Sequence, residues 1–237
     1  VQSPNQDSRE GAPIKLVILH YTGMATAAEA LQRLCDPLSK VSAHYLVEAS
    51  GRIHALVSEE ACAWHAGRSC WRGRSDINRI SIGIELEHPG HERPDPYPEP
   101  QVAALEDLLG RILSDRQLRA EAVVGHSDVA PCRKRDPGEW FPWARLARRG
   151  LAVWPQAKAG RLVARPPNLE MRLLATLRRI GYDAGGDSFL CPAARASLRA
   201  FQRRFRPSAL NCPPDLDDLI HARQVAAACE RELPFRH

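Results

Sequence analysis

The chain lacks any C-x-x-C pair. Its seven cysteines (35, 62, 70, 132, 191, 212 and 229) are an odd, scattered set. Such a set argues against a disulfide framework and fits a reducing compartment, so a cytoplasmic location is expected. Long hydrophobic runs are missing too. None approaches the roughly 20 residues that a membrane span needs. The first residues, VQSPNQDSREGAP, lack the basic-then-apolar pattern of a secretory signal, which adds to that expectation; the alternative is a periplasmic or outer-membrane-anchored protein whose signal was removed before residue 1. There is no internal repeat and no low-complexity tract. What is present is ordinary soluble-protein material: 237 residues, 44% hydrophobic and 26% charged. At roughly 100–200 residues per domain, this is one large domain or a medium one with a small companion.

Charge divides the chain. Residues 1–159 carry 20 basic and 20 acidic side chains, whereas residues 160–237 carry 13 and 8, and all 13 of those basic residues are Arg. The net charge of +5 therefore lies in the second stretch. In the first stretch, strand and helix patterns alternate. Ile14–Leu19 is an apolar run without helical spacing, read as a buried strand. Ala27–Leu34 reads as a helix stopped by Asp36-Pro37. Ala43–Glu48 and Arg52–Val57 read as a hairpin around Ala49-Ser50-Gly51. Ser81–Glu87 alternates as a strand does, and Glu99–Leu113 has the apolar spacing of an amphipathic helix. Ala122–Gly125 is a short strand, and a last helix is expected from Asp136 to about Gly150. This order predicts an α/β (α+β) fold, a central mixed sheet flanked by helices. Domain 1–150 is followed by a Pro-containing linker, 151–168, and then by three helical patterns in 169–237: Leu169–Ile180, Ala193–Phe205 and Asp215–Arg231. The linker separates two hydrophobic patterns, so the first domain is expected to stand alone.

Two histidines occupy suggestive places. His20 ends the first strand and His126 follows the last, and strand ends are where α/β folds collect functional groups. Two His and one carboxylate leave the fourth position of a tetrahedral zinc open, the arrangement of a hydrolytic site. Spacing does not decide the third ligand among Asp128, Cys132 and Asp136. Asp136-Pro137-Gly138-Glu139 is itself a good helix start, which favours a capping role for Asp136. Glu85 and Glu87 face the same side of one strand, and either suits proton transfer beside a metal. Lys134 suits an oxyanion. Residues 63–74 (AWHAGRSCWRGR) are too polar for a core element and read as a long binding loop. With Arg79 this stretch offers four Arg able to grip carboxylates. Arg74 is the choice among them, because it leads into the strand bearing Glu85.

LHYTGM, VSAHYLVEASGRI, AWHAGRSCWRG, NRISIGIELEHPG and GHSDVAPCRKRDPG occur in that order. Over about residues 5–150 the chain resembles the zinc-dependent N-acetylmuramoyl-L-alanine amidases, anhydro-muropeptide amidases among them, whose fold is shared with phage amidases and peptidoglycan recognition proteins. The resemblance implies a mixed sheet flanked by helices and Zn2+ on His20, His126 and Asp136. It implies catalytic roles for Glu85 and Lys134, and substrate contacts from His65, Ala66 and Asn78. Cys132 stands where similar sequences usually have Gly. The C-terminal stretch, with LLATLRRIGYDAG and ARASLRAFQRRF, resembles a three-helix peptidoglycan-binding domain. Its Gly-rich loop is replaced by GGDSFLCPAA.

Three classes of function are separable. The resemblance implies hydrolysis of the amide between N-acetylmuramic acid, or its 1,6-anhydro form, and L-alanine. The alternative is a sensor that binds muropeptides without cutting, and sensors of this fold typically lack a zinc ligand. Nucleic-acid binding, prompted by RAFQRRFR and a pI near 9.0, lacks a recognised motif, and the Phe residues there belong to an apolar helix face. A peptidoglycan or muropeptide substrate, no nucleic acid, no membrane span and a monomer are expected.

Overall fold

The structure, a computed structural model, describes residues 2–93, 95–155 and 166–230. Part of the 151–168 linker and the last seven residues lie outside them. The central sheet has the order β4-β3-β6-β2-β7, with β2 Leu16–Tyr21, β3 Tyr45–Val47, β4 Ile53–Ala55, β6 Ser81–Leu86 and β7 Val123–Gly125. β3, β6, β2 and β7 run parallel, and β4 closes one edge antiparallel. The sheet is mixed, as the alternating pattern predicts. A second, two-stranded sheet pairs β1 Gln6–Ser8 with β5 Ala61–Ala63.

Period-two alternation sends successive side chains of each strand to opposite faces. On one face Val17, Leu19, Ile82 and Ile84 pack under helix α2, Glu99–Asp115, through Leu105, Leu109 and Ile112. The other face is divided into three. At the β3 end, Leu46 lies under helix α1, Ala27–Cys35, with Ala30 and Leu34. Thr26 opens α1 with a capping box to Glu29. At the β7 end, Leu16, Ile18 and Val124 lie in one apolar cluster with Leu173, Leu177, Phe201 and Val225. Those four belong to the C-terminal helices α5 Leu169–Ile180, α6 Pro192–Phe205 and α7 Leu216–Glu230. The two hydrophobic patterns therefore share a core. Between these apolar ends β6 presents Ser81, Gly83 and Glu85, and there the surface opens into a cavity of about 470 Å³.

Two short helices complete the first region: α3 His126–Val129 and α4 Trp143–Arg148. No helix starts at Asp136, contrary to its reading as a cap. Its carboxylate is taken up by two histidines and is not available to orphan N–H groups. The 63–74 loop also departs from expectation. Trp71 is buried against Tyr182, and Arg72 donates from its backbone N–H to Gly181 O at 2.9 Å and from Nε to Ile180 O at 3.1 Å. The far half of the loop thus docks on the C-terminal helices.

Candidate active site and metal centre

β2 and β6 pair in a register that sets His20 beside Glu85, and β7 pairs with β2 so that His126 follows the rung Leu19–Gly125. Three chemically active side chains therefore gather at the C-terminal ends of parallel strands, where open α/β sheets place their ligands. Asp136 completes the group from the loop after α3. The Nδ1 atoms of His20 and His126 are 2.9 Å apart. Asp136 Oδ2 lies 3.0 Å from the first and 2.9 Å from the second. All three residues are buried.

The tautomers of both histidines follow from a chain of hydrogen bonds. Ser81 donates its hydroxyl to Ile77 O at 2.6 Å, so its oxygen accepts from His65 Nε2 at 3.1 Å. His65 Nδ1 is then an acceptor, and His20 Nε2–H donates to it at 3.0 Å. His126 Nε2–H donates to Ala66 O at 3.0 Å. Both Nδ1 atoms are left with bare lone pairs aimed at the Asp136 oxygen. Burial, reinforced by His126, lowers His20 to about 4. Three electron-rich atoms about 3 Å apart with no proton between them repel one another unless a cation joins them. Two imidazoles and one carboxylate are a donor set suited to zinc, and they leave a position open.

Cys132 is exposed and lies outside this cluster. Asp128 is turned away from it, accepting from Gly125 N at 2.8 Å, Tyr182 Oη at 2.7 Å and Arg204 at 2.8 Å. Glu85 and Lys134 both line the cavity. Glu85 Oε2 is sealed from solvent and has no hydrogen-bond partner among the described residues. Burial, with Asp136 nearby, raises its pKa well above the usual value, and Lys134 opposes that rise. Glu87 is engaged elsewhere, its oxygens accepting from Ala27 N at 2.8 Å and Ala49 N at 2.7 Å.

The AWHAG segment faces inward. His65 lines the cavity and, through its ring, orients His20, while Ala66 O orients His126. Asn78 Oδ1 accepts from the backbone N–H groups of both, at 3.2 and 2.7 Å, and so holds the segment in place. The His65 ring lies over Gly83, where an added β-carbon would stand 2.3 Å from it. Arg74 is not brought to the cavity. It is bonded to Asp76 at 3.1 and 2.5 Å. The His65–Ser81 link escapes sequence reasoning. The signal available was the alternation in SIGIE, which puts Ser81, Gly83 and Glu85 on one face.

The family model for N-acetylmuramoyl-L-alanine amidase matches residues 10–139. The chain belongs to that family. The N-acetylmuramoyl-L-alanine amidase AmiD of Escherichia coli K12 is 39% identical to this amidase over 224 residues, 86% of this chain and 79% of that protein. The 1,6-anhydro-N-acetylmuramyl-L-alanine amidase AmpD of Haemophilus influenzae is 35% identical over 164 residues, 61% of this chain and 88% of its own length. Among solved structures, E. coli AmiD in complex with the substrate anhydro-N-acetylmuramic acid-L-Ala-D-gamma-Glu-L-Lys has a TM-score of 0.80 at 35% identity, covering 96% of this chain and 93% of that one. AmpDH3 of Pseudomonas aeruginosa has a TM-score of 0.78 at 29% identity, covering 92% of both chains. The likeness to AmiD and AmpDH3 thus runs beyond residue 139 of the amidase into its C-terminal helices.

Proposed function

We propose that this amidase hydrolyses the amide between N-acetylmuramic acid, in its plain or 1,6-anhydro form, and the L-alanine of a peptide stem. The observation that carries this is the convergence of His20, His126 and Asp136 in one cavity with Glu85, whose Oε2 is sealed from solvent and has no hydrogen-bond partner among the described residues. Zinc held by those three residues supplies a Lewis acid that makes water nucleophilic near neutral pH and polarises the scissile carbonyl. Glu85 takes a proton from the attacking water at Oε2 and passes it to the departing amino group of L-alanine as the C–N bond breaks. Lys134 stabilises the negative charge that grows on the carbonyl oxygen. His65 and Ser81 move no proton in the reaction and keep His20 in the ligating tautomer.

Incubation of the zinc-loaded protein with an anhydromuropeptide should yield the free stem and the free anhydro sugar acid, resolved by mass spectrometry. Tight binding of the muropeptide without any cleavage would favour the sensor reading instead.

A further inference from the structure

Beside the zinc cavity lies a second one of about 500 Å³, between the 131–135 loop and helix α6. The two are contiguous, since Arg133, Lys134 and Arg135 line both. The far wall adds Arg199 and Arg203, one helical turn apart on α6. Five cations therefore face a space whose walls hold one carboxylate, that of Glu139. That carboxylate is already engaged, by His91 Nε2 at 2.9 Å and Arg203 Nε at 3.3 Å. Arg133 is partly occupied, donating to Arg68 O and Ala66 O. The side chains of Lys134, Arg135 and Arg199 have no hydrogen-bond or ion-pair partner among the described residues.

Like charges gathered in a concave wall raise its potential and repel one another, and an anionic ligand relieves both effects. Four of the five cations are Arg, whose planar fork matches a carboxylate in two-pronged geometry. The shared wall ties the ligand to whatever occupies the zinc cavity. We propose that this second cavity binds the free carboxylates of the substrate's peptide stem, with Arg199 of the C-terminal helices as a specificity-determining residue. The proposal rests on the amidase reading. On the peptide side of the scissile bond, a γ-linked D-glutamate leaves its α-carboxylate free and the last residue adds another. The peptide side is thus the acidic side of the substrate. The assignment gives α6 a place in substrate selection, and it supplies the carboxylate grip that Arg74, bonded to Asp76, does not bring to the cavity.

Two substrates separate the outcomes: an anhydromuramoyl tripeptide with free carboxylates, and the same molecule with both converted to carboxamides. Wild-type kcat/KM should favour the acid. Arg199→Gln should shrink that preference by about 5- to 30-fold, the range for a charge-assisted hydrogen bond at a partly exposed site. Arg199→Glu should shrink it further. Zinc content and melting temperature, measured alongside, show whether each variant is intact. Equal wild-type turnover of acid and amide, or an unchanged preference in both intact variants, would overturn the proposal. Calorimetric titration with the free tripeptide and its diamide reads the same site without turnover. Tighter binding of the acid that Arg199→Gln weakens, in a protein that cleaves neither substrate, would keep the carboxylate site and remove the amidase reading. Wild-type binding of acid and diamide with equal affinity would overturn the carboxylate site itself.

Discussion

Glu85 and Glu87 stand two positions apart, yet their surroundings give them different work. Glu87 satisfies two backbone N–H groups, one of them at the start of α1. Glu85 satisfies none with its buried oxygen and faces the metal ligands. Glu85→Gln should keep zinc and fold while losing about 10²–10⁴ of turnover, and Glu87→Gln should keep turnover while losing about 1–2 kcal/mol of stability. Turnover, metal analysis and urea denaturation of both variants check this, and a Glu85→Gln enzyme within threefold of wild type would remove Glu85 from the chemistry. His44 makes a second residue-scale case. It is fully buried, and its Nδ1 accepts from Gly83 N–H at 2.9 Å. Burial, aided by the charge of Arg9, lowers its pKa from the ordinary 6.5 to about 4. The unfolded chain therefore takes up this proton first. The stability contributed by neutral His44 is complete above pH 6.5 and drains away as pH falls towards 4, by up to about 3 kcal/mol. Metal-free wild type should lose stability over that window more steeply than His44→Gln, and parallel losses would assign the pH dependence to other groups.

Strand β6 carries on one face everything the site needs from the middle of the sheet. Ser81 ends the hydrogen-bond chain, Gly83 makes room for His65, and Glu85 meets the cavity. Gly83→Ala puts a methyl group into the space of the His65 ring. It should weaken zinc binding, as should His65→Ala, each by about 10–100-fold in a chelator competition, the usual cost of losing the partner of a ligating histidine. Undiminished zinc affinity in His65→Ala would show that His20 holds its tautomer without help. Much of this element was legible beforehand. The period-two alternation of 81–87 marks a strand, and the ends of the neighbouring strands name His20 and His126. The strands β1 and β5 were not legible, because QDS is wholly polar and ACA carries no β-branched or aromatic residue. The third ligand was equally hidden. Asp128, Cys132 and Asp136 lie within nine positions of one another, and the resemblance, not spacing, singled out Asp136. The choice is physically made by Arg204 and Tyr182, which claim Asp128 from more than 50 positions away. The helix expected from Asp136 fails for a related reason, since a capping sequence says nothing about a distant partner that competes for the same carboxylate.

At the scale of the molecule, the C-terminal helices are joined to the sheet by apolar surface and by a buried ion pair. Arg204 bonds Asp128 at 2.8 Å and lies over the Trp143 ring at 3.8 Å. Removal of everything after Pro155 should expose Leu16, Ile18 and Val124 and strip Asp128 of its cation. The truncated protein should therefore aggregate or melt well below the full chain, which size-exclusion chromatography and thermal denaturation would show; a soluble, monomeric fragment with full melting temperature would mean that the shared core adds little. Replacing Arg204 alone with Met should cost about 3–5 kcal/mol, because an unpaired buried carboxylate remains. The Arg204–Asp128 pair also bears on how such a protein changes over time. Asp128 lies in the short helix that begins with the zinc ligand His126, and Arg204 lies in the companion helices. Recombination that brings in foreign helices without a matching arginine breaks the lock next to His126. The two halves of this chain are therefore fitted to one another at this pair, and neither can be exchanged without regard to the other.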